Sequence, residues 1–146
     1  GVGLANANTT AVGNVDGGED DLITYALSAN ALAANNRGVR VTAWGTAANN
    51  ANAKTVKCYF GATALVTTSL TLSQVNVWRV DATVLRTGAT AQEAVATLIN
   101  GGTVTLIDAE QTNPGETLSG AVTIKCTGTG TTTNDVVQEA LTVEYL

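Results

Sequence analysis

The most constraining feature of this sequence is a two-residue hydrophobic period that restarts again and again in short runs. In Lys54 to Phe60, KTVKCYF, the residues Val56, Cys58 and Phe60 alternate with Thr55, Lys57 and Tyr59. That spacing places one set on each side of an extended chain, as a half-buried strand requires. Comparable runs are Leu22 to Leu27, Val39 to Thr46, Ala64 to Leu72, Val75 to Thr87, Gln92 to Ile99, Thr103 to Asp108, Ala121 to Thr127 and Val136 to Tyr145. About nine such strands, separated by Asn, Gly and Thr clusters, predict an all-β protein: an antiparallel β-sandwich of jelly-roll type. The Ala- and Asn-rich SANALAANNRG has no amphipathic face long enough for a stable helix and reads as a loop.

Faces follow from the same period. Trp78, Val80, Ala82 and Val84 oppose Arg79, Asp81 and Leu85. Strand Val39 to Thr46 is the untidy one, because Val41 and Ala43 share a face while Trp44 lies on the other with Arg40 and Thr42. Either a bulge near Gly45 changes the parity, or Trp44 packs on something outside the primary core, such as a second subunit. Arg40, Thr42 and Trp44 are therefore the candidate interface residues.

A chain of 146 residues with 45% hydrophobic and 13% charged side chains is one domain able to bury its own core. The opening Gly1 to Gly18 is small, polar and without period. It reads as an extended arm lying on another subunit or on a larger surface, with 19–146 as the single sandwich domain. There is no Met, so Gly1 is not an initiator and the chain reads as processed or as part of something longer. Neither a signal peptide nor a membrane span is visible, and no membrane partner is expected. Twelve acidic against seven basic residues give a net charge of -5, which disfavours nucleic acid as a partner.

The absence of His removes the usual Ser/His/Asp and Cys/His nucleophile systems and imidazole metal ligands, so no catalytic residue, cofactor or metal is assigned. Asp81, Glu93, Asp108 and Glu110 could in principle supply a hydrolytic carboxylate pair, but each sits where a polar strand face or turn would place it. DGGEDD, Asp16 to Asp21, fits no EF-hand loop and reads as an acidic turn that blunts a strand edge. TGTGTTTND lacks a phosphate-loop ending. Asn49, Asn50 and Asn52 read as turn formers before sugar ligands. Cys58 and Cys126 both face inward and would lie close if their strands are neighbours.

Four segments, GEDDLITYAL, RGVRVTAWGTAANNANAKTVKCYFG, VWRVDATVLRTGATAQEAVATL and ETLSGAVTIKCTGTGTTTNDVVQEALTVEYL, together resemble a β-domain of tailed-bacteriophage virion structural proteins of the capsid-decoration, head-fibre or tail-fibre type. The resemblance runs from Gly18 to the C-terminus and brings no catalytic residues. It implies a non-enzymatic virion protein assembled in the host cytoplasm, most simply a capsid decoration or cement protein, and folding in that reducing compartment implies that Cys58 and Cys126 remain free thiols. The implied partners are further copies of itself, as a homotrimer, and other virion proteins such as the major capsid protein. The alternative it leaves is a fibre domain that binds host-surface carbohydrate.

Overall fold

A computed structural model describes residues 3–71, 76–100 and 105–146, with side chains described for 3–67, 77–100 and 109–146. Within them the chain forms eleven strands: β1 (Gly3–Asn8), β2 (Val12–Gly13), β3 (Gly18–Leu27), β4 (Gly38–Ala47), β5 (Ala53–Phe60), β6 (Thr63–Thr71), β7 (Asn76–Gly88), β8 (Ala91–Asn100), β9 (Thr105–Thr112), β10 (Val122–Gly130) and β11 (Val136–Tyr145). All nine expected strands are present, although Leu72, Val75, Thr103 and Val104 at their proposed ends lie outside the described residues. SANALAANNRG forms turns, with Leu32 buried beneath it and its carbonyl accepting from Arg86 Nη1 at 2.7 Å.

The strands make two antiparallel sheets. The larger runs β1-β11-β4-β7-β8-β9, with β2 also on β11, and the smaller runs β3-β10-β5-β6. The four-strand orders 1-11-4-7 and 3-10-5-6, with the chain alternating between sheets, are the jelly-roll pathway, to which the β8–β9 hairpin is added. Between the sheets lie Val39, Val41 and Ala43 of β4, Trp78, Val80, Ala82 and Val84 of β7, and Val56, Cys58 and Phe60 of β5, all buried as the alternation predicts. The indole N–H of Trp78 donates to the Thr46 carbonyl at 3.3 Å, so the largest core side chain is buried without an orphaned donor.

A bulge on β3 ties the two sheets together. On β3, Thr24 pairs with Lys125 and Asp21 with Thr127, so Leu22 and Ile23 together oppose Cys126. Both therefore turn into the core, and the Ile23 N–H donates instead to Gln138 Oε1 at 3.0 Å across the sandwich. Gln138 is fully buried, and its Nε2 donates to the Ala140 carbonyl at 3.1 Å. One glutamine side chain thus repairs a ladder defect in the opposite sheet.

Two expectations are corrected. Cys58 and Cys126 form a disulfide rather than remaining free thiols. They are direct register partners on β5 and β10, with Cα atoms 3.9 Å apart, a proximity that inward orientation alone does not specify. The N-terminal stretch is extended, as read, but does not leave the chain's own sandwich. Gly3–Asn8 pairs along β11, Ala5 packs on the core, and buried Asn14 donates to the Asp16 and Thr132 carbonyls while accepting from the Val136 N–H. The unpaired edge of β11 attracts an extended segment, because backbone hydrogen bonding there needs no hydrophobic period.

Candidate interaction surface

Of the two alternatives for β4, a bulge near Gly45 does occur, but on the neighbouring strand. Gly45 pairs with Gln138 and Trp44 with Ala140, so Glu139 is the extra residue, on β11. The parity of β4 is untouched, and Trp44 points out of the sandwich with 37% of its surface exposed. Gly45 permits this crossing: a Cβ there would fall 1.8 Å from the Val137 carbonyl oxygen and 2.7 Å from the Trp78 ring.

On the outer face of the larger sheet, Trp44 lies between Ala140 of β11 and Arg79 of β7, and Thr42 between Thr142 and Asp81. Arg40 stands in register with Glu144 and Thr83. Of the three residues singled out from the sequence, Arg40 and Trp44 are exposed, whereas Thr42 is buried and donates its hydroxyl to Asp81 Oδ1 at 3.3 Å. Arg79 pairs with Asp81 at 3.0 Å, and the hydrogen bond to that carboxylate, followed by its charge, raises the guanidinium pKa. The central charges of the face are thus matched to each other.

Sequence reasoning missed further exposed apolar residues on the face that carries Trp44. Val77 and Leu85 of β7 and Val95 of β8 share its outward parity and are 50%, 36% and 52% exposed. Shallow grooves of about 230 and 220 Å³ share Thr83 and Val95, the first also lined by Leu85 and Glu93 and the second by Arg40 and Asp81. The signal was present: Val77 and Leu85 occupy the Arg79/Asp81 phase of β7, but a single valine or leucine on a polar phase is common and draws no notice.

Asp81 is held by Arg79 and Thr42, Glu93 is exposed beside Leu85, and the Asp108 side chain lies outside those described. In the acidic turn, Asp16 takes a left-handed φ of 54°, Asp20 accepts from the Val15 N–H, and Asp21 pairs with Lys125 at 2.7 Å. Among the described residues no cluster of three ligating side chains could hold a metal ion.

The asparagine loop is a hydrogen-bonded plug at one end of the sandwich. Lys54, 1% exposed, donates to Asn50 Oδ1 and the Asn52 carbonyl at 2.8 Å and to the Asn50 carbonyl at 3.1 Å. Asp135 accepts from Asn50 Nδ2 at 2.7 Å, Asn52 Nδ2 at 3.1 Å, and the backbone N–H groups of Thr131 and Thr132 at 2.9 Å. Burial pushes the Asp135 carboxyl up, but these donors outweigh it and hold the pKa well below the usual carboxylate range. The side-chain amides of Asn50 and Asn52 are thereby engaged within the chain.

No protein-family model and no curated protein matches this sequence. Among solved structures the chain is similar to the CBM2 module of the evolved Dit of Lactobacillus casei BL23 phage J-1. The TM-score is 0.44 with 8% identity, over 83% of this chain and 67% of that one, a level of likeness that carries no conclusion about function.

Proposed function

We propose that this chain is a non-catalytic bacteriophage virion protein, a capsid decoration or cement protein that self-associates as a trimer and binds the particle surface. The observation that carries self-association is the outer face of the larger sheet, where Trp44 and Val77 are exposed on one side of the Arg79–Asp81 pair and Leu85 and Val95 on the other. Exposed apolar side chains on a sheet face whose central charges are paired with each other suit burial against a second copy. Trp44, wide and held on the central strand β4, is the anchor of that contact. The assignment to a virion rests on the resemblance of the four segments.

The fibre reading of the same resemblance would use a platform of coplanar exposed aromatics. Phe60 and Trp78 are buried in the core, and Tyr25 and Tyr145 pack against it. Tyr59 lies on the other sheet, leaving Trp44 without an aromatic neighbour on its face.

Sedimentation velocity tests the contact. Trp44→Ala should weaken association by more than about 2 kcal/mol, the scale of an interface anchor, while the thermal melt of the folded monomer stays nearly unchanged. A Trp44→Ala protein that assembles normally removes the proposed interface. Copy number in purified particles tests the place: many copies over the head fit decoration, a few at one vertex fit a fibre.

A further inference from the structure

The outer face of the larger sheet carries its exposed apolar residues in two separate places, and the register fixes the distance between them. Trp44 stands beside Arg79 of β7, and Leu85 is six residues further along that strand, with Asp81 and Thr83 between them on the same face. At the rise of an extended chain, six residues span about 20 Å. Trp44 therefore cannot reach Leu85 within its own chain.

The two places differ in shape and in polarity. Trp44 is a broad ring projecting from β4. Around Leu85 the surface is recessed instead, in the groove of about 230 Å³ lined by Thr83 and Leu85 of β7, Glu93, Ala94 and Val95 of β8, and Gln111 of β9. That volume lies below the roughly 300–1,000 Å³ of a pocket that encloses a small molecule. The indole N–H of Trp78 is bonded to the Thr46 carbonyl, whereas among the described residues that of Trp44 has no acceptor. The Glu93 carboxylate in the groove likewise has no donor among them. One place offers a ring with a spare donor, and the other a recess between Leu85 and Val95 with a charged acceptor.

We infer that the Trp44 ring of one copy seats in the Leu85–Val95 groove of the next, with its N–H donating to the Glu93 carboxylate there. This rests on the reading that copies associate through this face, and it names what Trp44 packs against. An indole laid over Leu85 and Val95 buries apolar surface on both partners, and its polar edge needs an acceptor once water is excluded. A hydrogen bond to a carboxylate is about twice as strong as one to a neutral group. The two simpler contacts are poorer. Trp44 against Trp44 leaves both N–H groups without an acceptor and both grooves empty, and groove against groove brings the Glu93 carboxylates together, a like-charge contact. Ring and groove are different patches, so the contact runs head to tail, and a head-to-tail contact repeated about an axis closes a ring such as a trimer. The ordinary twist of a sheet turns the outward direction of β8 away from that of β4, so one sheet can serve both neighbours.

Sedimentation equilibrium of single variants and of their mixtures tests the seat. Trp44→Ala removes the ring. Leu85→Lys puts a charge into the groove and stands opposite Glu93 in the β7–β8 register, where an opposite-charge pair keeps the sheet intact. Val95→Lys blocks the same groove from β8, and circular dichroism and melts establish that each variant folds. Each alone should associate about thirtyfold or more weakly than the parent, the scale of an interface anchor. An equimolar mixture of Trp44→Ala and Leu85→Lys should recover a complex of two chains, because the first keeps an intact groove and the second an intact ring. Glu93→Gln, which still accepts but without charge, should weaken association by about fivefold. Groove variants that associate like the parent while Trp44→Ala does not would overturn the seat and leave self-association standing; a Trp44→Ala protein that associates normally would overturn both. A mixture no more associated than its components, an unchanged Glu93→Gln, or a parent that stops at two copies would each overturn the inference as well.

Discussion

Reducing the Cys58–Cys126 bond provides the sharpest test of how this sandwich is held together. The bond joins β5 to β10 in the middle of the smaller sheet and closes a loop with a sequence separation of 68. In the chain-entropy model, a loop of that size removes about 15 cal/mol/K from the unfolded ensemble, which stabilises the fold by about 4 kcal/mol at 25 °C. Reduction removes no side-chain atom, so cavity formation adds little to the comparison, although the two buried sulfurs must separate to non-bonded contact. For a domain of this length, 4 kcal/mol corresponds to a fall of roughly 10 °C in melting temperature. Oxidised and reduced protein should be unfolded in urea and by heat, after mass spectrometry of the alkylated, unreduced protein has counted its thiols. The reduced form should also show a steeper urea dependence, because its unfolded chain is more expanded and exposes more surface. Two alkylated thiols in the untreated protein would refute the bond. A reduced protein with an unchanged midpoint would refute the argument that the bond acts through the unfolded chain.

Gly45→Ala should cost about 3 kcal/mol in a denaturant melt, because the added Cβ has only the Val137 carbonyl and the Trp78 ring to displace. Asp135→Ala should destabilise by about 3 kcal/mol, since it strands the donors of Asn50, Asn52, Thr131 and Thr132. The folded Asp135 pKa is depressed, so its contribution is complete above the unfolded value near 3.9 and is lost as pH falls toward the folded one. Melts taken below about pH 4 should therefore show a smaller acid-induced loss in Asp135→Asn than in the parent protein. Deleting residues 1–8 should lower the melt by about 1–2 kcal/mol while the β circular-dichroism signal persists, and should expose the β11 edge to promiscuous association seen by light scattering.

The number and extent of most strands, and the faces they present, were written in the local period of two, because which side of a strand a residue faces depends only on its position along it. That period placed Phe60 and Trp78 inside, and it placed Trp44 outside once the bulge proved to sit on β11. Local turn chemistry likewise marked the asparagine loop, since Asn tolerates left-handed backbone and bonds its own neighbours, as at Asn50. What the period does not contain is which strand lies beside which. Strand pairing is a long-range choice made by sheet topology and register, and it alone set Cys58 opposite Cys126, laid β1 along β11, and gathered Glu19, Asp21, Tyr59, Lys125 and Thr127 into one groove. The buried Lys54 is a local case by contrast: its strand phase points it inward, and the Asn50 and Asn52 carbonyl oxygens that meet its charge come from the loop just before it.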